Sequence, residues 1–333
     1  CGSFPRRDLQ RPAHNYRFIS ERDCNMASKA RVAGVGMIPF AKPGQSEDWD
    51  VMAEKAARLA LADAGVSYDQ VQHAFVGYVY ADSTAGQSAL YRVGCTGIPI
   101  VNVNNNCSTG STALYLARQL IELGGADCVI ALGFEQMLPG AIGMAFPDRK
   151  RTLDMHLTAQ QAIQGVEANA PFAAQQFGGG GLDYQRRYGA KDETFARIAV
   201  KARSHAANNP MALFRTPISL EEVMAAKHLY GPITRLQACP PTCGAAAAIL
   251  VSPAFAQKHG LDASVEIKAQ ALTTDPASSF EGSSMMRAIG YAMAKNAALQ
   301  TYEAAGVGPN DVQVVALHDC FTPNELVTYE ALG

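Results

Sequence analysis

The segment Ala64-Gly-Val-Ser-Tyr-Asp-Gln-Val-Gln72 returns late in the chain as Ala305-Gly-Val-Gly-Pro-Asn-Asp-Val-Gln313. Each copy closes a helical pattern with Ala-Gly-Val and resumes with Val-Gln ahead of an apolar run. The first copy follows an apolar run at Val32–Ile38 and a helical pattern from Ser46 to Ala64. Acids (Glu47, Asp48, Asp50) come early in that helix, bases (Lys55, Arg58) later, and Gly65 marks its stop. A strand over Ala74–Tyr80 comes next. Around the second copy the pattern predicts a strand at Val265–Leu272, a helix near Ser284–Ala305 and a strand from Val312 to Leu317. Self-similarity on this scale predicts an α/β fold built from two pseudo-symmetric halves.

The first half continues through Ile98–Val103, a loop holding Cys107, a helix over Ser111–Leu123 and a strand at Cys128–Leu132. The small-residue strand Gly244-Ala-Ala-Ala-Ala-Ile-Leu-Val-Ser252 completes it. The second half reaches Gly333 one helix after its second strand, so symmetry leads us to expect it incomplete, with the boundary between halves near 252–263. Between Leu138 and Leu236 lies an insertion of weaker periodicity. It contains Gly178-Gly-Gly-Gly181, expected to be flexible, and a capped helix starting Ser219-Leu-Glu-Glu222. Insertions of this size predict a lid or substrate-binding subdomain. The expected division is a leader over 1–30, a first half over 31–137 and 237–262, an insertion over 138–236, and a second half over 263–333. The leader carries arginines, scattered acids and no period, and is expected to be disordered, with Met26 as the natural start.

Two cysteines occupy matching places. Cys107 ends Ile98-Pro-Ile-Val-Asn-Val-Asn-Asn-Asn-Cys107, and Cys320 follows Val312-Gln-Val-Val-Ala-Leu-His318-Asp. Each stands between an apolar strand and a helix start, where unpaired N–H groups and the helix dipole favour a thiolate. The carboxyl ends of strands are also where open α/β sheets take ligands. Asn104-Asn-Asn106 suits a tight turn, and Gly110 leaves room in the first helical turn. Thr322 as N-cap, Pro323 in the first turn and Glu325 three residues after the cap predict a strong helix start. His318 and Cys320 are then expected on one side of a short loop, able to donate to a carbonyl oxygen and to move a proton.

Charge excludes several classes. A net charge of −2 over 333 residues, with bases spread along the chain, gives no reason to expect nucleic acid or a membrane-surface patch. No apolar run is long enough to span a bilayer, so stable membrane insertion is not expected. Eight cysteines at irregular spacing make no disulfide framework and suit a reducing compartment. Cys239-Pro-Pro-Thr-Cys243 has tempting spacing for zinc, but the prolines and the following alanines read as entry into a buried strand; no metal is expected. Gly34-Val-Gly36 lacks the third glycine of a dinucleotide fingerprint and is rejected as one.

Three segments, Asn102-Val-Asn-Asn-Asn-Cys-Ser-Thr-Gly-Ser-Thr-Ala-Leu, Ala131-Leu-Gly-Phe-Glu135 and His318-Asp-Cys-Phe-x-x-Asn-Glu-Leu, resemble the thiolase superfamily, and the His-Asp-Cys-Phe motif resembles its sterol-carrier-protein branch. The resemblance runs from about Arg31 to Gly333. It implies a layered α-β-α-β-α fold and thiolytic cleavage of 3-oxoacyl-CoA, giving a shortened acyl-CoA plus acetyl- or propionyl-CoA. It implies Cys107 as nucleophile, Cys320 as the acid that protonates the departing enolate, and His318 as a support for the enolate oxygen. Coenzyme A is then a substrate and no cofactor is required. The insertion resembles the loop domain that holds CoA, with Lys201, Arg203, Arg215, Lys227 and Arg235 as undifferentiated candidates for its phosphates. A homodimer and a peroxisomal location are implied in the same way. Two departures stand out: the family's Gly-His-Pro motif and its glycine-rich oxyanion loop have no counterpart in this chain, and Cys243 stands where the family has an acid. The alternatives are a related condensing enzyme and a non-catalytic CoA- or lipid-binding fragment.

Overall fold

A computed structural model describes residues 29–140, 146 and 148–333. The expected leader, apart from Lys29 and Ala30, lies outside the described residues. The first half runs β1 (Arg31–Met37), α1 (Trp49–Ala64), β2 (His73–Gly77), α2 (Ala85–Tyr91), β3 (Ile100–Val103), α3 (Thr109–Glu122) and β4 (Cys128–Gln136). The insertion adds α4 (Asp154–Gln164), α5 (Phe172–Tyr188), α6 (Asp192–Ala206), α7 (Leu220–Ala225), β5 (His228–Tyr230) and β6 (Ile233–Thr234). The remainder is β7 (Cys243–Val251), α8 (Pro253–His259), β8 (Val265–Glu266), α9 (Met285–Ala288), α10 (Tyr291–Ala305) and α11 (Thr322–Leu332).

Six strands form one mixed sheet in the order β3-β2-β4-β7-β1-β8. β2 runs parallel to β3 and β4, while β7 runs antiparallel to β4 and β1. The alternating pleat of β4 sorts the core into two layers. Ile130 and Leu132 pack with Met52, Ala56 and Ala60 of α1, whereas Val129 and Ala131 pack with Ala113, Ala117 and Ile121 of α3. Helices on both faces bury the sheet, which explains why β4 and β7 read as continuous apolar runs. Gly34 and Gly36 sit where α1 touches β1. A Cβ on Gly34 would lie 2.3 Å from the Ala64 nitrogen, and one on Gly36 2.3 Å from the Ala56 carbonyl oxygen. Close helix packing, rather than nucleotide binding, accounts for that pair.

Three expectations need correction. Gly178–Gly181 is not a flexible loop but the middle of α5, and all four glycines are buried. Glycine is needed there for close approach: a Cβ on Gly178 would meet the Tyr230 carbonyl oxygen at 2.8 Å, and one on Gly181 would meet Pro232 Cγ at 2.7 Å. The strands expected at Val265–Leu272 and Val312–Leu317 shrink to the two residues of β8 in the first case and to none in the second. A strand exists only where neighbours take its backbone hydrogen bonds, and Val314 and Val315 are 88% and 54% exposed. The start of α11 differs too. Phe321 takes the N-cap position and Thr322 is already helical, with its Oγ1 accepting from Gln237 Nε2 at 3.1 Å.

The insertion is tied to the second half of the chain. Asp183 of α5 is buried and accepts from Ser284 Oγ at 2.8 Å, just ahead of α9. At α7 the expected capping box is present, with the Glu222 N–H donating to Ser219 Oγ at 3.1 Å.

Candidate active site

The parallel strands β2, β3 and β4 all end at one edge of the molecule, and the antiparallel β7 begins there. Four chain segments therefore meet at one place. After β3 the chain turns sharply into α3: the Asn105 N–H donates to Thr109 Oγ1 at 2.8 Å, and Thr109 Oγ1 donates to the Asn106 carbonyl at 2.6 Å. Asn106 adopts φ 46°, the left-handed region that asparagine tolerates better than most residues. Cys107 follows on the outside of this turn and is exposed.

At the end of β4, Glu135 accepts the backbone N–H of Val79 at 2.9 Å and of Tyr80 at 3.3 Å. Burial raises the Glu135 pKa, while these N–H donors pull it down. The carboxylate fastens the exit of β2, which places Tyr80 in the field of both Glu135 and Cys107; burial and those two charges raise the Tyr80 phenol. A groove of about 260 Å³ opens beside this turn, lined by Tyr78, Tyr80, Asn102, Asn104 and Phe146 among others.

From the other side, the Cys239 N–H donates to the Cys320 carbonyl at 2.8 Å, and Ala238 and Phe321 form an isolated antiparallel bridge. Cys320 is 8% exposed. Burial pushes its thiol pKa far up, and the charges Cys239 and Cys107 would carry add to the rise. The Cys239 thiol is likewise raised, first by burial and then by Cys107. Three sulfurs therefore share one electrostatic neighbourhood: an exposed Cys107, an exposed Cys239 and a buried Cys320.

The Cys107 thiol itself is raised above its ordinary value. Although the residue as a whole is exposed, desolvation of the thiol outweighs the stabilisation from its own backbone N–H. Desolvation therefore works against the thiolate preference expected of a helix N-terminus. Among the described residues Cys107 Sγ makes no side-chain hydrogen bond. His318 is exposed while Cys320 is buried. The His318 carbonyl accepts from Asn324 Nδ2 at 2.7 Å, which holds the loop against α11.

Sequence reasoning missed Glu135 as a fastening group and Cys239 as a neighbour of the two named cysteines. An acid closing an otherwise apolar strand was the available signal for Glu135. For Cys239 the signal was read as strand entry, which describes Cys243, the first residue of β7, whose Sγ reaches the Met137 carbonyl at 3.6 Å. Among the described residues no cluster of three or more His, Cys, Asp or Glu is arranged to hold a metal.

A layered α/β core with cysteines gathered at its strand ends defines a class of thiol-bearing α/β proteins. A family model described as thiolase, N-terminal domain, matches residues 31–227, and one described as thiolase C-terminal domain-like matches 277–333. The chain belongs to the thiolase family. It is 52% identical over 306 residues to sterol carrier protein 2 of Homo sapiens, covering 91% of this chain and 56% of that one. It is 33% identical over 308 residues to the benzoylsuccinyl-CoA thiolase subunit BbsB of Thauera aromatica, covering 92% and 75%. Among solved structures, an Ltp2-ChsH2(DUF35) aldolase superposes with a TM-score of 0.73 at 25% identity, covering 92% of this chain and 77% of that one. The chain spans about half the length of the sterol carrier proteins it matches.

Proposed function

We propose that this chain carries the thiol machinery of an acyltransferase that cleaves 3-oxoacyl-CoA with free CoA. Cys107 sulfur attacks the 3-oxo carbon, the bond between C2 and C3 breaks, and the shortened acyl group stays on Cys107 as a thioester. The departing enolate of acetyl- or propionyl-CoA takes its proton from Cys320. The proton lost by Cys107 on attack replaces the one Cys320 gave up. The CoA thiol then displaces the acyl group, and its proton restores Cys107. Splitting one carbon–carbon cleavage into two transfers lowers each barrier. A buried Cys320 whose thiol is held neutral suits a proton donor, and His318, two residues away, is assigned to the enolate oxygen.

The observation that supports this reading is the common neighbourhood of Cys107 and Cys320, one exposed to an incoming carbonyl and the other kept out of water. Substrates are acyl-CoA and CoA. A homodimer, a role in β-oxidation and a peroxisomal location belong to the same proposal and draw on the kinship with sterol carrier protein 2. The test is intact and peptide mass spectrometry after incubation with a 3-oxoacyl-CoA. Acyl mass on Cys107, absent in Cys107→Ala, is the expected result; acyl mass elsewhere or nowhere sinks it. The raised Cys107 thiol favours one competing reading, a CoA-binding protein that does not turn over, which the same experiment would select through binding without acylation.

A further inference from the structure

Two short extended segments meet beside the thiol site and set one cysteine against another. Ala238 and Phe321 form an isolated antiparallel bridge. Both residues are extended, at φ −111°, ψ 139° and φ −144°, ψ 144°. One step along from that bridge, the Cys239 N–H donates to the Cys320 carbonyl at 2.8 Å. One step the other way, Gln237 Nε2 donates to Thr322 Oγ1 at 3.1 Å. Three consecutive pairs therefore face each other: Gln237 with Thr322, Ala238 with Phe321, and Cys239 with Cys320.

Alternation along an extended chain assigns these side chains to faces. Phe321 points to α5, where its ring stacks on Phe177 with centroids 5.0 Å apart and planes 20° apart. Cys320 and Thr322, one residue to either side, point the other way, as do Cys239 and Gln237 opposite them. The Gln237–Thr322 bond lies on that second face, and Cys239 and Cys320 are neighbours across it. Directly opposed antiparallel residues that share a backbone hydrogen bond have α-carbons about 5.5 Å apart. That falls inside the roughly 4.4–6.8 Å that a disulfide spans. Cys239 is exposed to solvent and Cys320 is buried behind it. Burial is the main cause of the raised Cys320 thiol, followed by the charge of Cys239 and only then by that of Cys107. That order agrees with Cys239 as the nearer sulfur.

We propose that Cys239 and Cys320 form a reversible disulfide when the chain meets a hydroperoxide, Cys239 being oxidised first and Cys320 resolving it. The Cys239 thiolate attacks a peroxide oxygen and the O–O bond breaks. Cys239 becomes a sulfenic acid, and the departing alkoxide or hydroxide takes up the proton the thiol released. The Cys320 sulfur then attacks the Cys239 sulfur, the S–O bond breaks, and hydroxide leaves with the Cys320 proton as water. Two thiols and one hydroperoxide thus give one disulfide, one alcohol or water, and one further water. The two electrons lost by sulfur reduce the peroxide. Both thiols are raised, chiefly by burial, so the pair answers to sustained exposure rather than to a brief pulse. The pairing does not depend on the acyl-transfer reading. Within that reading, the disulfide removes the proton donor and leaves Cys107 a free thiol.

The test treats the full chain with hydrogen peroxide at pH 7 and at pH 9, blocks free thiols with N-ethylmaleimide, and maps the peptides without reduction. A Cys239–Cys320 link is expected, forming about tenfold or more faster at pH 9 and removed by dithiothreitol. In Cys320→Ser the Cys239 sulfenic acid is expected to accumulate and to be trapped by dimedone, which a merely buried neighbour would not produce. Cys239→Ser is expected to leave Cys320 a thiol. Circular dichroism checks that both serine variants fold. A link from Cys107 to either cysteine in place of this one overturns the proposal. So does Cys239 passing to sulfinic acid in the wild type while Cys320 stays a thiol, or a link that forms as fast at pH 7 as at pH 9. Acylation of Cys107 by a 3-oxoacyl-CoA is then compared in the reduced and the oxidised chain. Loss on oxidation with recovery in dithiothreitol supports Cys320 as the proton donor. Acylation that is absent even in the reduced chain sinks the acyl-transfer reading, while the mapped disulfide still judges the pair.

Discussion

Lys201 of α6 reaches across to α11 and closes on the carboxylate of Glu325, which is 3% exposed, with the Tyr329 hydroxyl as a third member. Glu325 lies five residues after Cys320, so the clasp joins the insertion to the helix that carries the cysteine loop. The motif reading gave Glu325 to a capping box. It turns away from the cap because α11 begins one residue earlier than expected, which puts Glu325 on the face toward α6.

Removing the cation leaves a buried acceptor with only a tyrosine hydroxyl. Lys201→Met is expected to lower unfolding stability by about 1–3 kcal/mol, the cost of an unsatisfied buried group. Tyr329→Phe is expected to cost less. Urea unfolding followed by far-ultraviolet circular dichroism measures both, and an unchanged midpoint in Lys201→Met rules the clasp out as a stabilising contact.

The same clasp has a pH signature. Burial on its own would lower the Lys201 pKa, but the hydrogen bonds to Glu325 and Tyr329 outweigh it and raise the value above 10.5. A raised folded-state pKa means the contribution is complete below the unfolded value of 10.5 and is lost as pH climbs through the folded one. The stability gap between wild type and Lys201→Met is therefore expected to hold steady from pH 7 to about 10 and to narrow above it. A gap that closes on going from pH 9 to pH 7 would contradict this sign.

Thiol chemistry separates the three clustered cysteines. Alkylation follows the thiolate fraction and access to the sulfur. Cys107 is exposed with a raised thiol pKa, so its labelling by iodoacetamide is expected to be slow at pH 7 and to keep accelerating beyond pH 9.0, the ordinary thiol value. Cys320, buried and raised much further, is expected to stay unlabelled in the folded chain. Peptide-resolved mass spectrometry over time reads each site, and equal labelling of Cys107 and Cys320 would show that burial does not order them.

Much of the first half was legible because its signals are local. Gly65, the acids and bases of α1, and the apolar runs of β2, β4 and β7 each state their structure within a dozen residues. Cys107 was legible for the same reason, since a strand, an asparagine turn and an amphipathic helix are adjacent in sequence. The meeting of Cys239 with Cys320 was not, because a backbone hydrogen bond between segments about eighty residues apart leaves no periodic trace. The strand pattern of Val312–Leu317 was misleading: alternation states a preference, while a strand also requires a neighbour to pair with. Glu135 was visible as the acid closing the motif segment Ala131–Glu135, but its fastening of the β2 exit was not, because Val79 and Tyr80 lie more than fifty residues earlier.

The glycine run of α5 gives the sharpest contrast between local propensity and packing. Propensity alone says that Gly178→Ala inside a helix should stabilise by about 1 kcal/mol. Packing says the opposite, because the new Cβ would lie 2.8 Å from the Tyr230 carbonyl oxygen and 2.9 Å from the edge of its ring. Tyr230 belongs to β5, whose pairing with β6 fixes that carbonyl in place, so the helix would have to move away from the hairpin. Overpacking of this kind costs about 1–3 kcal/mol and exceeds the propensity gain. Gly178→Ala is therefore expected to lower the thermal midpoint, whereas Gly124→Ala is expected to lower it through backbone strain alone, since φ is 71° there and no atom lies within 4 Å of its Cβ. Differential scanning calorimetry distinguishes the two: a second substitution that trims Tyr230 to alanine should reduce the additional cost of Gly178→Ala and leave that of Gly124→Ala unchanged. A rise in the midpoint for Gly178→Ala would show that the contact is not tight and that the run serves some other purpose.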